Sequence, residues 1–293
     1  MTRALLIVNP FASQVTSDRV DRVVGVLPGH IEVRLTERRG HATEIAREAV
    51  EAGLDALYVF SGDGGFNEVL NGIEGEMPVG FVPGGGTSVL PRALGLPRDP
   101  VQAAQQIAAG RTRRISLGRV NGRRFGFNSG LGFDAELVRR VDALGRKPDG
   151  RRPGDVAFTW TAFRTVVDHR GRWDPALEIE GVGRAALVLV ANCTPYTYAG
   201  AVPLHVAPDA RFELGLDAVA PARLGPLDIP RLLRYLLRGS GQRGDRGVHY
   251  LHDQDRIAVH CDRPLPLHVD GEDLGDVGAA VFEAERDAVS VFV

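Results

Sequence analysis

The stretch that decides the fold is ALYVFSGDGGFNEVLNG, residues 56–72. Its first five residues are apolar and predict a short buried strand, after which the glycine-rich turn at residues 61–65 leads into a helical pattern from about Phe66. Glycines let a backbone turn sharply, and the amides at the start of a helix carry the positive end of the helix dipole. The stretch therefore predicts a phosphate-binding turn between a strand and a helix.

The first 117 residues continue this alternation of strands and helices. Strands are expected at residues 4–8, 31–35, 56–60 and 79–82, and helices are expected to start at Ser17, Ala42, Phe66 and Ser88. Ser17 and Ser88 are the expected N-caps of their helices. Such alternation with short connections indicates a parallel sheet covered by helices on both faces, in which ligands bind beyond the carboxyl ends of the strands.

The rest of the chain consists of short apolar runs separated by turn residues, which is typical of an antiparallel, β-rich domain. Strands are expected at residues 125–128, 185–191, 216–220, 256–260, 265–269, 279–282 and 289–293, with helices near residues 155–167 and 228–237. We therefore predict an α/β domain at residues 1–117 and a β-rich domain at residues 118–293. The last strand could return to the first domain.

Composition argues against several classes of function. The 293 residues carry a formal net charge of −2, whereas a protein that binds nucleic acid has a clear basic excess. Two cysteines allow neither a disulfide framework nor a C-x-x-C metal site, and neither a signal peptide nor an apolar run of about 18 residues is recognisable. A cytoplasmic protein is expected. Its only lysine is Lys147, so a Walker P-loop is excluded, and backbone amides, arginines and a metal would have to hold any bound phosphates.

A second glycine-rich turn, PGGGTS at residues 83–88, also follows a strand and opens a helix. Either turn alone could be a simple connection, but two at strand ends of one sheet indicate a ligand site. Neither matches the Gly-x-Gly-x-x-Gly fingerprint with a downstream acid, which disfavours a dinucleotide-binding Rossmann domain. Asp63 lies between glycines of the first turn. A carboxylate beside phosphates suits a metal or a proton-transfer role, although Asp63 could also be a helix cap.

Five segments resemble the diacylglycerol kinase and sphingosine kinase family of lipid kinases. SGDGGFNEVLNG at residues 61–72 resembles the Gly-Asp-Gly signature, and PGGGTSVLPRALGLP at residues 83–97 resembles the second glycine motif. Asn9-Pro10 is similar to the family's opening Asn-Pro, FNSGLGFDA at residues 127–135 to the first segment of its second domain, and DGE at residues 270–272 to its Asp-Gly-Glu motif. The resemblance covers nearly the whole chain in the expected order.

The resemblance implies a nucleotide domain like that of phosphofructokinases and NAD kinases, followed by a β-sandwich lipid domain. It implies transfer of the ATP γ-phosphoryl group, with Mg²⁺, to the hydroxyl of a lipid such as diacylglycerol or a sphingoid base, in a cleft where the two substrates meet. Asp63, Asp270 and Glu272 would be catalytic, with Asp270 as general base and with Asp63 and Glu272 near the Mg²⁺ of Mg-ATP. The residues that would line the nucleotide are Asn9, Thr36, Gly62, Gly64, Gly65, Glu68, Gly85, Gly86 and Thr87.

Three stretches depart from the family pattern. GGTSV at residues 85–89 replaces Gly-Thr-x-Asn-Asp, the loop at residues 11–16 lacks the usual glycine or lysine, and ELG at residues 213–215 replaces the Asp-Asp-Gly of a structural magnesium site. Two alternatives also remain: an NAD-kinase-like kinase of a soluble acceptor, which the β-rich second half fits in outline, and a regulator with weakened catalysis that binds lipid or nucleotide, which the altered second glycine motif favours. From the residues alone, Asp270-Gly271 is also a hairpin-turn signal.

A last segment bears on partners. IPRLLRYLLR at residues 229–238 places leucines on one face of a helix and arginines toward another. Such a helix either lies on a membrane surface or simply covers a sheet. The sequence is compatible with peripheral contact at the inner membrane surface and with a homodimer.

Overall fold

The computed structural model describes residues 3–145, 161 and 164–293, so the helix expected near residues 155–167 lies largely outside the described residues. The chain divides into two compact units. Unit 1 comprises Met1–Ser116 and Asp287–Val293, and unit 2 comprises Leu117–Arg286.

Unit 1 is built on a parallel sheet. Its strands are β1 (Arg3–Val8), β2 (His30–Leu35), β3 (Ala56–Ser61) and β4 (Val79–Pro83). They lie in the order β2-β1-β3-β4, and Val291 near the end of the chain pairs in parallel with Val79 of β4. The register aligns Val8 with Leu35 and with Phe60, so neighbouring strands end together at one edge of the sheet.

Helices cover both faces of this sheet. They are α1 (Ser17–Val26), α2 (His41–Glu51), α3 (Asp63–Leu70), α4 (Val89–Ala93) and α5 (Pro100–Ala108). A Cβ at Gly80 would lie 3.0 Å from Ile107 of α5, whereas the ring of the next residue, Phe81, packs edge-on against Phe66 of α3 at 5.3 Å. Adjacent residues of a strand point to opposite faces, so α5 and α3 lie on opposite sides. The predicted α/β architecture is confirmed.

Two local details of unit 1 differ from the expectation. Helix α1 is capped by Thr16 and not by Ser17, because the Thr16 Oγ1 accepts a hydrogen bond from the Arg19 amide at 3.3 Å. Val33 and Leu35 alternate with polar residues, which predicts a half-buried strand, but β2 is the edge of the sheet, so these two side chains are 40% and 54% exposed.

Unit 2 is β-rich. Its strands are β5 (Thr112–Val120), β6 (Arg123–Phe125), β7 (Asn128–Leu131), β8 (Leu177–Ile179), β9 (Gly183–Ala185), β10 (Val188–Ala191), β11 (Thr197–Ala199), β12 (Val202–Leu204), β13 (Leu216–Pro221), β14 (Val248–Gln254), β15 (Arg256–Val269) and β16 (Glu272–Phe292). Strand β5 starts in unit 1, and β16 ends in unit 1. Its helices include α6 (Phe133–Ala143) and α7 (Ile229–Arg238).

These strands pair antiparallel in the order β14-β13-β10-β7-β15-β16. The register of β15 shifts between His260 and Leu265, so its first part pairs with β8 and its second part with β7. Buried residues from both parts and from both partner strands share one hydrophobic core, which includes Ile179 of β8 and Leu131 of β7. This arrangement confirms the predicted β-sandwich. In the described ranges, no helix has both the length and the apolar character needed to cross a membrane.

Candidate functional site

The carboxyl edge of the unit 1 sheet collects several of the predicted nucleotide residues. Asn9 follows β1, Thr36 follows β2, Gly62 follows β3 and Gly84 follows β4. The Asn9 amide donates to the Phe60 carbonyl at 3.0 Å, and the Thr36 amide donates to the last residue of β1 at 2.8 Å. These bonds extend the strand ladders by one residue, so the four loops start side by side at the edge where α/β sheets bind ligands.

The two glycine-rich turns touch each other through their backbones. The Gly84 amide donates to the Ser61 carbonyl at 2.7 Å, and a Cβ at Gly85 would lie 2.9 Å from the Gly62 Cα. A Cβ at Gly65 would lie 2.1 Å from the Ser61 Oγ. Only glycine fits at these positions without displacing its neighbours, so the packing itself explains why glycines recur in both turns.

Helix α3 begins at Asp63 and not at about Phe66 as expected. The amides of Gly65 and Phe66 already donate to the Gly62 carbonyl, at 3.0 and 3.1 Å, so the glycine turn is itself the first turn of the helix. The first amides of a helix lack partners within it, and here they belong to the turn that carries Asp63. The half-buried Asp63 accepts a hydrogen bond from the Leu90 amide at 3.3 Å. Its carboxylate therefore caps α4, the helix of the other turn.

Gln14 and Ser88 hold the second glycine turn in place. The Gln14 amide donates to the Gly84 carbonyl and its side-chain amide donates to the Gly85 carbonyl, both at 2.8 Å. Ser88 occupies the N-cap position of α4 as expected, but its hydroxyl bonds to the amide and carbonyl of Gly85, at 3.2 and 3.1 Å, and caps no helix amide. Sequence analysis missed Gln14, since nothing in residues 11–16 signals this contact.

Glu68 lies on α3 and reaches the start of α2. Its Oε2 accepts a hydrogen bond from the Ala42 amide at 3.2 Å, and its carbonyl accepts one from the Thr43 hydroxyl at 2.8 Å. These contacts give Glu68 a capping role that ties the two helices together.

The remaining predicted nucleotide residues lie in the two turns. Gly64 is the second residue of α3, and the Thr87 carbonyl lies 3.5 Å from the Arg92 Nη1. A Cβ at Gly86 would meet no heavy atom within 4 Å. Gly86 is therefore not required by the packing of the turn, in contrast to Gly85.

In unit 2, Asp270 and Gly271 form the turn that joins β15 to β16. Both residues have positive φ, 47° and 76°, and Val269 pairs with Glu272 across the turn. Positive φ at both central residues is the geometry of a type I′ hairpin, which favours Asp-Gly. The hairpin expected from the residues alone is confirmed.

The carboxylate of Asp270 binds three successive backbone amides. Its Oδ2 accepts from Gly126 at 2.7 Å, and its Oδ1 accepts from Phe127 and Asn128 at 3.0 and 3.1 Å. Sequence analysis predicted one strand through residues 125–128, but the structure has two, β6 and β7. The strand is interrupted because these amides turn to the carboxylate. Charge-assisted bonds of this kind hold a buried carboxylate rigidly, and Asp270 is 4% exposed.

Glu272 is also buried and lies next to an arginine. Its Oε2 is 3.5 Å from the Arg123 Nη2. A cation that binds at Glu272 would compete with this ion pair, so Glu272 is a weaker candidate metal ligand than Asp63.

Sequence analysis missed a polar cluster formed by Asp134, Tyr196 and His268. The Asp134 Oδ2 accepts a hydrogen bond from the Tyr196 hydroxyl at 2.7 Å and lies 2.7 Å from the His268 Nε2. Burial alone raises the pKa of Asp134, but attraction to His268 and hydrogen bonds from His268 and Tyr196 outweigh it, so the pKa is lowered. Burial, and then the nearby Asp134 charge, raises the pKa of Tyr196 well above its usual range. The only sequence signal was the position of Asp134 in the segment at residues 127–135.

The donor groups near the glycine turns fit a metal that arrives with a nucleotide. Within residues 3–145, 161 and 164–293, no three His, Cys, Asp or Glu side chains are placed to hold a metal together. Mg²⁺ commonly binds through one or two carboxylates, waters and the phosphates of a substrate. The half-buried carboxylate of Asp63, beside the first amides of α3, suits that mode.

Comparisons with family models divide the chain in the same order as the fold. Residues 3–120 match the model described as the diacylglycerol kinase catalytic domain. Residues 129–293 match the model described as the YegS C-terminal NAD kinase beta sandwich-like domain.

Curated relatives match much of the chain. A diacylglycerol kinase of Bacillus subtilis (strain 168) is 38% identical over 238 residues, which cover 80% of this chain and 76% of that protein. A diacylglycerol kinase of Staphylococcus saprophyticus is 34% identical over 249 residues, which cover 81% and 76%. A Streptococcus pneumoniae protein is 28% identical over 200 residues, which cover 65% of this chain and 66% of that protein.

Solved structures share the fold. The crystal structure of a diacylglycerol kinase from Bacillus anthracis superposes with a TM-score of 0.71 at 18% identity and covers 99% of this chain and 96% of that chain. An NAD kinase from Archaeoglobus fulgidus in complex with ATP superposes with a TM-score of 0.51 at 14% identity and covers 99% and 93%. At these identities the likeness concerns the fold alone.

Proposed function

Because this chain belongs to the diacylglycerol kinase family of lipid kinases, we propose that it transfers the γ-phosphoryl group of ATP to a lipid hydroxyl. The observation that carries the proposal is the carboxyl edge of the unit 1 sheet, where Asn9, Thr36 and both glycine turns start side by side. Amides at a helix start bind phosphate without a lysine. This suits a chain whose only lysine is Lys147.

In this proposal, Asp63 binds the Mg²⁺ that accompanies ATP. Its carboxylate heads α3 and is fixed by the Leu90 amide at 3.3 Å, so it is held beside the amides that would face the phosphates. A Mg²⁺ ion bound there would neutralise phosphate charge. Besides the phosphate oxygens, its ligands would include one or two carboxylates. Gly62, Gly64, Gly65, Gly85, Gly86 and Thr87 would approach the phosphates with backbone groups, while Glu68 would support the site through its cap on α2.

We further propose that Asp270 accepts the proton of the attacking lipid hydroxyl. The hydroxyl oxygen bonds to the γ-phosphorus, the bond from that phosphorus to the β,γ-bridging oxygen breaks, and ADP leaves. The three amides that hold the carboxylate of Asp270 fix its position. Glu272 would assist in this step, and its ion pair with Arg123 would hold its side chain in place.

The proposed acceptor is diacylglycerol or a chemically similar lipid alcohol. Support comes from relatives named diacylglycerol kinase that match about four fifths of this chain. A lipid acceptor would bring the protein to a membrane surface, so we propose a cytoplasmic protein in peripheral contact with the inner membrane surface.

An acceptor panel tests this proposal. Radiolabelled ATP with Mg²⁺ is offered with detergent-dispersed diacylglycerol, monoacylglycerol, a sphingoid base and ceramide, and separately with NAD. We expect label in the diacylglycerol fraction, abolished by a chelator. Label in NAD alone would make the chain a kinase of a soluble acceptor.

A thermal shift measurement separates a kinase from a regulator. A ligand that binds only the folded state stabilises it by about 2.7 kcal/mol at a hundredfold excess over Kd. Stabilisation by Mg-ATP without turnover on any acceptor would show a nucleotide-binding regulator and would contradict the kinase proposal.

A further inference from the structure

The outer face of helix α7 presents leucines and arginines side by side. Leu233 and Leu237 are each 53% exposed, and Leu227, just before the helix, is 94% exposed. Arg234 and Arg238 each follow one of the helical leucines and are also exposed. Residues four apart lie on the same side of a helix, so the two leucines form one row and the two arginines form the neighbouring row.

The inner face of α7 already has partners. Leu232 and Leu236 pack against a buried cluster that contains Tyr196, and Leu232 and Ile229 pack against a second cluster that contains Leu224. The helix therefore covers the sheet, which was one of its two expected roles. The outer leucines take no part in that packing, so their exposure requires a separate explanation.

The charge on the outer face is positive. Arg231 pairs with Asp228 at 2.8 Å and with Asp245 at 3.1 Å, so its one positive charge offsets one of these two carboxylates, which lie before and after the helix. Among the residues that the structure describes, none forms an ion pair with Arg234 or Arg238. The Arg234 guanidinium lies 5.4 Å from the centre of the Tyr235 ring, and three arginines against two carboxylates leave this part of the surface with a net positive charge. Cations beside exposed leucines are complementary to a surface that is both anionic and apolar.

We propose that this face, formed by Leu227, Leu233, Arg234, Leu237 and Arg238, docks the protein onto an anionic lipid bilayer. The leucines enter the boundary between headgroups and acyl chains, and the arginines contact lipid phosphates. A second copy of the chain fits less well, because a two-fold contact through this face would bring the same arginines together.

The proposal extends the proposed function and rests on it for its biological purpose. The inner face of α7 contacts the cluster that contains Tyr196, whose hydroxyl bonds to Asp134. A bilayer at the outer face would therefore lie about one helix diameter, roughly 10 Å, from this polar cluster of unit 2. A lipid acceptor would have a short path from the bilayer to that cluster.

Vesicle co-sedimentation tests the docking face. The full chain is mixed with vesicles of phosphatidylcholine alone, or of phosphatidylcholine and phosphatidylglycerol in equal parts. We expect binding to the anionic vesicles, weakened by high salt because charges are then screened. Leu233→Ser with Leu237→Ser should weaken it by at least about tenfold, and Arg234→Gln with Arg238→Gln by on the order of tenfold.

Matched controls come from exposed residues of unit 1. Val33→Ser removes an exposed apolar side chain, and Arg47→Gln with Arg98→Gln removes two exposed charges. These variants should bind anionic vesicles as the wild type does. Equal losses in control and α7 variants, or wild-type binding by both α7 variants, would overturn the docking face. So would a change of oligomeric state caused by the α7 variants without loss of vesicle binding.

Kinase activity on detergent-dispersed diacylglycerol separates this inference from the proposed function. The α7 variants should phosphorylate the dispersed lipid at the wild-type rate, because the bilayer is absent. Vesicle binding through α7 without any kinase activity would leave the docking face standing and remove the proposed function. Kinase activity with no vesicle binding would do the reverse.

Discussion

The backbones of Gly62 and Gly85 meet so closely that a Cβ at Gly85 would lie 2.9 Å from the Gly62 Cα. The two residues belong to different strand-helix turns, yet they form one continuous backbone surface at the edge of the parallel sheet. This contact explains how two turns separated in sequence can act on one ligand. It also makes the surface sensitive to a single methyl group.

Gly85→Ala should lower thermal stability and weaken the stabilisation that Mg-ATP provides. The added methyl forces the two turns apart, and overpacking of this kind typically costs about 1–3 kcal/mol. Gly86→Ala is the control for stability, since a Cβ there meets no heavy atom within 4 Å. Thermal unfolding with and without Mg-ATP measures both effects. Equal unfolding temperatures for the two variants would show that the close contact is not a constraint.

Asp270→Asn should lower the free energy of unfolding by about 1–3 kcal/mol, because buried amides of Gly126, Phe127 and Asn128 lose a charged acceptor. Asparagine is favoured at the first central position of a type I′ turn, so the hairpin itself should survive. Urea unfolding measures the change. If the free energy of unfolding is unchanged, the carboxylate does not hold these amides, and its proposed position as a base loses support.

Asp134 should make the stability of the protein depend on pH in the acid range. Its pKa is lowered in the folded protein, whereas an unfolded aspartate titrates near about 3.9. The stabilising contribution is therefore present above about pH 4 and is lost as the pH falls through the lowered folded-state pKa.

Asp134→Asn should accordingly reduce stability at neutral pH and flatten its decline in acid. Urea unfolding at a series of pH values compares this variant with Asp174→Asn, which alters an exposed aspartate. A decline as steep as that of the wild type would mean that Asp134 does not carry the effect.

Local patterns predicted the parts of the site that local chemistry determines. The hairpin at Asp270-Gly271 could be located because positive φ at both residues favours aspartate and glycine. The glycine turn at residues 61–65 could be located because its close packing leaves no room for a Cβ at Gly65. Alternation of strands and helices predicted the parallel sheet, and with it the edge where Asn9 and Thr36 lie together.

Contacts between distant segments could not be predicted in this way. Tyr196 and Asp134 are 62 residues apart in sequence, and His268 and Asp134 are 134 apart, so no periodicity connects them. The interruption of the strand at residues 125–128 has the same origin, because its cause is the carboxylate of Asp270. The start of α3 was placed three residues late because glycine normally disfavours a helix, whereas here the turn packs in helical form.

The rate at which Asp63→Asn phosphorylates diacylglycerol tests the central claim most directly. Asparagine keeps an oxygen that can accept from the Leu90 amide, so the cap on α4 and the unfolding temperature should be retained. Only the charge that would hold Mg²⁺ is removed. With radiolabelled ATP and dispersed diacylglycerol, we predict label in the wild-type lipid and a rate at least about a hundredfold lower for the variant. A folded Asp63→Asn protein that phosphorylates the lipid at the wild-type rate would contradict this account of the site.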